Sequence, residues 1–447
     1  MLAESLGSHQ LRVSVKAWSH CTFDSNGHGR REGHVMATVT TQQAEQAQQE
    51  EQAQPEEPAE HGEQAEQRQR VLISGASFAG LSTAIWMQRL GYDVTIVERA
   101  TGLRKGGTPV DLRNDTMAIA ERLGILAAVQ AKALPPRTTE FAEIDGATIA
   151  RMEPETSEDT NTNIVIDEYE IHRRDDVEIH RDDLLAILFA ALGDTAEVIF
   201  DDSITSLTDV PEGIRATFRD AAARDFAMVL GCDGNHSAVR RLHFGPESDY
   251  SHFLHHYTSV TVVDGAFIPS WTSRIQNTPG RTLLLNSYQD STDVVLVFHA
   301  EQEIGYDYHD LEEQKQIIRE EFAGAGEPFT DVVDAALSAD NFYFDKLSQI
   351  HLPRWSSGRV VLVGDAAYCP SPAAGMGGSV AILGATALYD AFVTTGGDIE
   401  RAFVEYERSF RPVAERIQTE TETFGLPMIF PTTAEAIEAR NAQLLEH

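Results

Sequence analysis

A short glycine-containing turn, Gly75-Ala-Ser77-Phe-Ala-Gly80, lies between two apolar segments. Glycine at the first position permits a tight turn, a small third residue lets the backbone approach a pyrophosphate, and glycine at the sixth allows a helix to pack closely on a strand. Ser77 stands where the pattern has its second glycine, but its side chain is small and its hydroxyl can donate to phosphate. Because backbone amides at a helix start attract anions, the turn predicts a dinucleotide phosphate site. On its own the signal is weak, since glycine turns also join strands and helices that bind nothing.

An acidic residue follows at the spacing that such a site requires. Glu98 ends the next apolar segment, 23 residues after Gly75, where an acid accepts hydrogen bonds from an adenosine ribose. A carboxylate suits a ribose with free hydroxyls, so we expect FAD or NAD here rather than NADP. The alternative is a solvated acid at a strand end. The strand, helix and strand between residues 71 and 98 have about the length of a parallel crossover unit.

Two later motifs repeat the change from strand to helix. Residues 228–240, MVLGCDGNHSAVR, contain an apolar strand that ends in Asp233-Gly234, then a polar turn and a helix. Residues 358–378 contain another apolar strand, the acid Asp365 and a loop rich in proline and glycine. The residues of that loop with special backbone properties are Pro372, Gly375, Gly377 and Gly378. Taken alone, each motif could be an ordinary turn, with Ser237 as a helix cap in the first.

The composition excludes several classes of partner. The 447 residues carry a formal net charge of −35, which repels nucleic acids and anionic lipids, so we expect neither as a partner. The longest clean apolar stretch, residues 184–192, is shorter than a membrane span. The amino terminus lacks the pattern of a signal peptide, which predicts a cytoplasmic protein. Cys21, Cys232 and Cys369 share no metal-binding spacing, so no metal site is expected.

The patterning predicts an α/β fold. Residues 1–70, acidic and rich in glutamine, have almost nothing to bury and are expected to be disordered. Several later segments alternate apolar and polar residues, which indicates an antiparallel sheet. These segments are residues 147–153, 163–172, 257–264, 281–288 and 293–300. From Gly378 onward the pattern is mainly helical. A parallel nucleotide-binding fold is therefore interleaved with an antiparallel layer.

In this order the three motifs resemble those of one family, the single-component FAD-dependent monooxygenases of the para-hydroxybenzoate hydroxylase type. The resemblance extends from about residue 71 to residue 423 and is most evident with the branch of tetracycline-inactivating monooxygenases and polyketide hydroxylases. The segments that carry it are GGTPVDLR (106–113), IHRDDLLAIL (179–188), FYFDKLSQI (342–350) and GDAAYCPSP (364–372).

This resemblance implies a Rossmann-like FAD-binding domain of the glutathione-reductase type, interleaved with an antiparallel-sheet substrate domain and followed by C-terminal helices. The implied boundaries are residues 71–136, 173–243 and 351–424 for the FAD-binding domain, 137–172 and 244–350 for the substrate domain, and 425–447 for a helical tail.

The resemblance also implies roles for individual residues. Glu98 would bind the adenosine ribose, Arg181 the ribityl–pyrophosphate region, and Asp365 the ribityl chain. Backbone amides from Gly375 to Gly378 would face the flavin pyrimidine edge. The full set of implied cofactor-binding residues is Gly75, Ser77, Gly80, Glu98, Arg99, Asp111, Arg113, Arg181, Asp233, Asp365, Gly375, Gly377 and Gly378.

Other implied roles concern the nicotinamide co-substrate and the flavin ring. Asp233 is tied by the resemblance to both FAD and NAD(P)H contacts, and Asp111 and Arg113 belong to a segment beside the flavin. Arg104 and Lys105 are candidates for the nicotinamide phosphates, although a basic pair on a loop is more often solvated. No side chain is identified as a certain catalytic residue; Pro372 and Gly375 belong to the loop that faces the flavin.

The implied reaction is reduction of FAD by NADPH or NADH, followed by reaction with O2 to a C4a-hydroperoxide that hydroxylates an aromatic, phenolic or polyketide-like small molecule. Two alternatives stay open: a flavin-dependent reductase or dehydrogenase on the same scaffold, and a non-catalytic flavoprotein that binds a small molecule. Some polar and aromatic residues of the predicted sheet could line a pocket, but the sequence assigns them no role. They are His255, His256, Tyr257, Tyr288, His299, Tyr343, Asp345 and Gln349.

Overall fold

A computed structural model of the chain describes residues 68–113, 115–154, 176–324, 326 and 329–445. The strands are β1 (Arg70–Ser74), β2 (Asp93–Glu98), β3 (Val110–Leu112), β4 (Thr138–Ala142), β5 (Thr148–Met152), β6 (Val177–Ile179), β7 (Glu197–Phe200), β8 (Ile204–Val210), β9 (Gly213–Phe218), β10 (Arg224–Phe226), β11 (Met228–Gly231), β12 (Ser251–Asp264), β13 (Thr272–Thr278), β14 (Arg281–Ser287), β15 (Ser291–His299), β16 (Tyr343–Ile350), β17 (Ser356–Ser357) and β18 (Val360–Leu362). The α-helices are α1 (Phe78–Arg89), α2 (Asp115–Leu123), α3 (Leu126–Gln130), α4 (Arg181–Leu192), α5 (Ala238–His243), α6 (Leu311–Glu321), α7 (Phe329–Ser338), α8 (Asp365–Tyr368), α9 (Gly377–Thr395), α10 (Ile399–Glu420), α11 (Leu426–Ile429) and α12 (Ala434–Leu445).

A six-stranded sheet in the order β17-β18-β11-β1-β2-β7 is parallel except for the edge strand β17. Its central strands β1, β11 and β18 are apolar along nearly their whole length and buried, as expected for a parallel sheet covered on both faces. Since carboxyl ends of neighbouring parallel strands meet at one edge, the residues that follow these three strands lie together. They are the turn at residues 75–77, Asp233 and Asp365.

A seven-stranded sheet in the order β16-β12-β15-β14-β13-β4-β5 is antiparallel except for the pair β13–β4. One of its faces forms an apolar core with helices α6 and α7, in which Leu285 and Leu296 pack with Phe329 and Val333. The sheet draws its strands from residues 138–152 and 251–350, on either side of strands that belong to the parallel sheet.

Two smaller sheets complete the described strands. Strands β8, β9 and β10 form an antiparallel meander. Strands β3 and β6 form a two-stranded ribbon in which Asp111 lies opposite Glu178. This ribbon positions the segments GGTPVDLR and IHRDDLLAIL next to each other.

Helix α9, which follows the loop rich in proline and glycine, is long and apolar. By length and composition it could cross a membrane, with a mean hydropathy of 1.2, but 61% of it is buried inside the protein. A buried core helix has the same composition. Here α9 packs against α1, α2 and α10 and is part of the core around the parallel sheet.

Most predicted elements are present, with shifted ends. The first helix begins at Phe78, directly after the turn at residues 75–77. Strands β5, β12, β14 and β15 match the alternating segments, whereas residues 163–172 lie outside the described residues. The helices α9 to α12 account for the helical pattern after Gly378. The implied domain boundaries stay a prediction.

Candidate functional site

The glycine turn requires glycine at both predicted positions. Gly75 has φ +100°, and a Cβ on it would lie 2.5 Å from the carbonyl oxygen of Cys232. A Cβ on Gly80 would lie 1.9 Å from the carbonyl oxygen of Gly75. Two close backbone approaches therefore bring α1 against the ends of β1 and β11. The start of α1, with its unpaired amides, is held at the carboxyl edge of the parallel sheet.

Glu98 closes the same turn from the next strand. Its Oε2 accepts a hydrogen bond of 2.8 Å from the amide of Ala76, and its Oε1 accepts one of 2.9 Å from the amide of Ala100. The carboxylate therefore lies beside the turn, where the predicted ribose would be. Arg99, the next residue, is exposed.

Arg181 and Ser77 join α4 to the glycine turn. Arg181 is the first residue of α4, and its Nη2 donates a hydrogen bond of 3.2 Å to the hydroxyl of Ser77. Its guanidinium carbon lies 4.8 Å from the centre of the Phe78 ring. Burial lowers the pKa of Arg181, and the positive charge of Arg104 lowers it further. At the third position of the turn, serine therefore supplies a hydroxyl that accepts a hydrogen bond from Arg181, which glycine could not do.

Asp365 follows Gly364, which has φ +70° and places the acid at the start of α8. Burial raises the pKa of the Asp365 carboxyl to about 6, although the nearby charge of Arg181 lowers it. Among the described residues, none hydrogen-bonds this carboxylate. The carboxyl is half-buried, and removing an acid from water without a donor costs free energy unless a ligand supplies one, so Asp365 is available to accept hydrogen bonds from a bound molecule.

The loop between α8 and α9 has a tightly specified backbone. Ser371 has φ +81°, unusual for a residue with a side chain, and its hydroxyl accepts a hydrogen bond from the amide of Ala373. Pro372 begins a single 3-10 turn that ends at Gly375, with φ +64°. A proline and a left-handed glycine together restrict the path of this loop.

The start of α9 lies against α1 and β3. A Cβ on Gly378 would lie 3.3 Å from a methyl of Val110 and 3.4 Å from the ring of Phe78. A Cβ on Gly377 would have no atom within 4 Å, so open space lies beside this residue. The hydroxyl of Ser379 donates a hydrogen bond of 2.5 Å to the carbonyl oxygen of Asp111. The third motif is therefore joined to the segment that contains Asp111 and Arg113, whose side chains form an ion pair of 3.0 Å.

Asp233 holds the start of α5. Its carboxylate accepts hydrogen bonds from the hydroxyl of Ser237, at 2.5 Å, and from the amide of Ala238, at 2.8 Å. The Ser237 hydroxyl in turn accepts from the amide of Arg240, which confirms Ser237 as the helix cap. The structure thus gives the Asp233 side chain a local structural role, while its backbone lies beside Gly75.

Arg104 lies near the site rather than away from it. Its guanidinium carbon is 5.3 Å from the centre of the Tyr343 ring, and its charge acts on Arg181. Both Arg104 and Lys105 are exposed. The pair is therefore at the rim, with Arg104 oriented by an aromatic ring.

Sequence reasoning missed a polar connection between the two large sheets. His236, in the turn after Asp233, has its Nε2 3.1 Å from Oδ2 of Asp345 and its Nδ1 3.1 Å from the carboxylate of Glu247. The hydroxyl of Tyr343 also donates to Asp345, at 2.9 Å. The hydrogen bond to Asp345, and then that to Glu247, raises the pKa of His236 to about 9. A histidine in a polar turn was the feature of the sequence that could have indicated this contact. Its partner on β16, Asp345, is 109 residues away in the chain.

A second polar group was also missed. Arg137, just before β4, forms a bidentate ion pair with Glu178 on β6, and Tyr288 and Asp293 continue it by hydrogen bonds. Among the described residues no group of three or more His, Cys, Asp or Glu side chains is arranged to hold a metal ion.

Known proteins are similar to this chain over most of its described residues. The family described as FAD binding domain matches residues 68–421. An uncharacterized protein of Mycobacterium tuberculosis is 37% identical over 349 residues, covering 78% of this chain and 91% of that protein. A flavin-dependent monooxygenase of an unknown prokaryotic organism is 28% identical over 382 residues, covering 83% of this chain and 94% of that protein. The crystal structure of the tetracycline destructase Tet(55) superposes with a TM-score of 0.71 at 28% identity, covering 85% of this chain and 95% of that chain. The matched residues include all three motifs.

Proposed function

Because this chain belongs to the FAD binding domain family, as a single-component flavin monooxygenase of the para-hydroxybenzoate hydroxylase type, we propose that it uses NAD(P)H and O2 to hydroxylate an aromatic, phenolic or polyketide-like small molecule. Flavin-dependent monooxygenases are among its relatives, and Tet(55) is a tetracycline destructase. The substrate named for Tet(55), tetracycline, supports a substrate with fused or phenolic rings.

The observation that carries the proposal is the position of Arg181 between the glycine turn and Asp365. Its guanidinium donates to Ser77, and its charge acts on the half-buried Asp365 carboxyl, which no described residue hydrogen-bonds. A pyrophosphate beside the turn would accept from Arg181 and from the α1 amides, and a ribityl hydroxyl would donate to Asp365. The residues present therefore fit FAD.

The remaining assignments follow from the same placement. Glu98 would accept from the adenosine ribose, and Gly375, Gly377 and Gly378 would expose backbone amides to the pyrimidine edge, where open space lies beside Gly377. Amides in that position stabilise negative charge. Asp111 and Arg113 would border the flavin ring. Arg99 would lie at the adenosine end of FAD, and Asp233 beside the glycine turn.

FAD supplies the redox chemistry, because no protein side chain activates O2. The protein's own residues bind and orient it and exclude water from the ring. Pro372 and Ser371 restrict the loop that would cover one face. Arg104, oriented by Tyr343 at the rim, would hold a phosphate group of NAD(P)H, with Lys105 beside it.

Two other functions use the same scaffold: a flavin-dependent reductase or dehydrogenase, and a non-catalytic flavoprotein that binds a small molecule. The experiment that separates them uses the purified protein reconstituted with FAD. NADPH and NADH oxidation, oxygen uptake and incorporation of label from 18O2 are measured with a panel of phenolic and polyketide-like compounds.

The proposal expects substrate-stimulated oxidation of the nicotinamide, equal oxygen uptake and one labelled oxygen atom in the product. Oxidation with product formation but without oxygen uptake would identify a reductase. Tight ligand binding without any oxidation would identify a binding protein. Failure to retain FAD after reconstitution would contradict the proposal at its first step.

A further inference from the structure

The seven-stranded sheet has two faces with different surroundings, and the strand register assigns residues to each. Leu285 and Val294 pair directly and belong to the face that packs on α6 and α7. Asn286 and Asp293 are the next pair on these strands, so they point to the opposite face, because side chains alternate along a strand. We call this opposite face the inner face.

The inner face is turned toward the loop that follows α8. Val297 and Leu347 lie on it, as the pairings of β12 with β15 and β16 require. Both pack in one apolar cluster with Ala373, in the turn begun by Pro372. This end of the inner face is therefore apolar, and it packs in one core with Ala373 of the proposed flavin loop and with residues of α11 and α12.

The other end of the inner face is polar. Nε of Arg137 donates to Oε2 of Glu178 at 3.0 Å, and its Nη1 donates to the hydroxyl of Tyr288 at 3.4 Å. The Tyr288 hydroxyl donates to Oδ2 of Asp293 at 2.8 Å. These four residues are called the Arg137 cluster below. One guanidinium thus faces two carboxylates.

The guanidinium of Arg137 balances the negative charges of the two carboxylates in the Arg137 cluster only in part. Burial raises the pKa of Glu178 to about 7 and that of Asp293 to about 6, against the opposing effect of Arg137. Asp293 is only 2% exposed, and no group in the described part of the chain donates to its Oδ1. A buried carboxylate of this kind needs a donor or a positive charge.

The Arg137 cluster lies close to the proposed flavin edge. Glu178 is opposite Asp111 in the ribbon of β3 and β6, and adjacent strands are about 4.8 Å apart. The carbonyl of Asp111 accepts from Ser379, which follows Gly378 in the first turn of α9. A molecule bound beside the proposed flavin edge would therefore be within reach of this cluster.

We propose that the Arg137 cluster is a subsite for a protonated amine, so that the substrate is an amine-bearing aromatic or polyketide-like molecule. The inference rests on the proposed function, since it assigns a substrate feature to the same pocket. The ammonium supplies the positive charge that the two carboxylates lack and donates to Oδ1 of Asp293. The rings of the substrate lie between this cluster and the proposed flavin loop.

A purely structural role for the cluster gives a different expectation. Arg137 and Glu178 stand where the chain passes between the two sheets, so their ion pair could simply fasten these crossings. In that case the charge of Asp293 would not influence which ligand binds. The test therefore compares ligands that differ only in the amine.

The experiment uses the full-length FAD-loaded protein and three matched pairs of probes. They are tyramine and tyrosol, 5-hydroxytryptamine and 5-hydroxytryptophol, and tetracycline and 4-dedimethylaminotetracycline. Dissociation constants are measured at pH 7.5 by calorimetry and by the change in flavin absorbance, so that no turnover is needed. We expect the amine member of at least one pair to bind about tenfold more tightly, which corresponds to about 1.4 kcal/mol of binding free energy.

Asp293→Asn should reduce that ratio to near one while the neutral member still binds. Glu178→Gln should lower it in the same direction and serves as a second variant if Asp293→Asn does not fold, as judged by its Tm and FAD content. Asp334→Asn, at an exposed acid of α7, is the matched control and should leave the ratio unchanged.

Equal or tighter binding of the neutral member in every pair would overturn the inference, and so would failure of every amine to bind. An unchanged ratio in the folded carboxamide variants would also overturn it. These failures differ from a failure of the proposed function, which would appear as missing FAD or as no oxygen uptake with any compound.

Discussion

The guanidinium of Arg240 donates a hydrogen bond of 3.0 Å to the carbonyl oxygen of Ala366. Arg240 is fully buried and also donates at 3.0 Å to Glu247, a partner of His236. The arginine that ends the middle motif is therefore attached to the residue after Asp365, in the third motif. The two motifs form one unit, which explains how segments more than a hundred residues apart can share a cofactor site.

Removal of this connection should affect both stability and FAD binding. Arg240→Met leaves the carbonyls of Ala366 and Asn235 without a buried donor and leaves Glu247 with His236 alone, so a loss of about 3 kcal/mol in the free energy of unfolding is expected. The FAD dissociation constant should rise, because Asp365 is next to the released carbonyl. Urea unfolding and flavin titration measure the two effects. The neighbouring exposed Arg241 provides the control variant Arg241→Met, and equal effects of both substitutions would contradict the prediction.

Asp365→Asn should stabilise the apo protein, although it should weaken FAD binding. Burial raises the pKa of Asp365 to about 6 from its ordinary value of 3.8. A carboxyl with a raised pKa contributes stability that is fully present below about pH 4 and is lost as the pH rises through 6. Asp365→Asn removes this loss, so at pH 7.5 the apo variant should be more stable than the wild type by on the order of 2 kcal/mol.

The same Asp365→Asn variant should bind FAD about ten- to a hundredfold more weakly, since a carboxylate accepts stronger hydrogen bonds than an amide. Thermal unfolding of apo and FAD-loaded protein between pH 4 and pH 8 measures both effects. Asp334→Asn is the exposed control. Unchanged FAD affinity in Asp365→Asn would show that Asp365 does not contact the cofactor.

The sequence predicted the parts of the site that depend on local backbone. The positions of Gly75 and Gly80 follow from a turn in which added Cβ atoms would lie 2.5 Å and 1.9 Å from carbonyl oxygens. Ser237 as a cap follows from its place directly before a helix. Such features are encoded within a few residues, so their spacing alone identifies them.

Contacts between distant segments could not be predicted in the same way. His236 and Asp345 are 109 residues apart, and Tyr288 and Asp293 meet Arg137 only because β14, β15 and β4 lie in one sheet. Each residue alone is an ordinary polar residue of a strand or turn. Their association depends on strand order and register, which the alternation of apolar and polar residues does not determine.

The contact between His236 and Asp345 should make the stability of the folded protein decrease at alkaline pH. The two acidic partners raise the pKa of His236 to about 9 from 6.5, so the protonated ring stabilises the fold. This contribution is fully present below about pH 6.5 and is lost as the pH rises through 9. The Tm difference between wild type and His236→Gln should therefore be largest near pH 6 and disappear above pH 9.

The control for this pH profile is His309→Gln, since His309 is exposed and far from Asp345 in the chain. Its Tm should follow that of the wild type at every pH. A difference between wild type and His236→Gln that stays constant from pH 6 to pH 10 would mean that the charge of His236 has no part in it.

A double-mutant cycle should detect the close approach of α8 and α9 behind the flavin loop. A Cβ on Gly384 would lie 1.8 Å from the hydroxyl oxygen of Tyr368, which shares a hydrogen bond of 2.9 Å with Tyr406. Gly384→Ala should cost about 2 kcal/mol of stability through overpacking, and Tyr368→Phe about 1 kcal/mol through the lost hydrogen bond. Because the second change removes the atom that clashes, the double variant should be more stable, by about 1 kcal/mol, than the summed effects of the two single variants predict.

Tyr406→Phe removes the same hydrogen bond but keeps the Tyr368 hydroxyl, so its combination with Gly384→Ala should be nearly additive. Urea unfolding of the five variants and the wild type measures these free energies, and equal coupling in both cycles would mean that the hydroxyl of Tyr368 is not what excludes a side chain at Gly384.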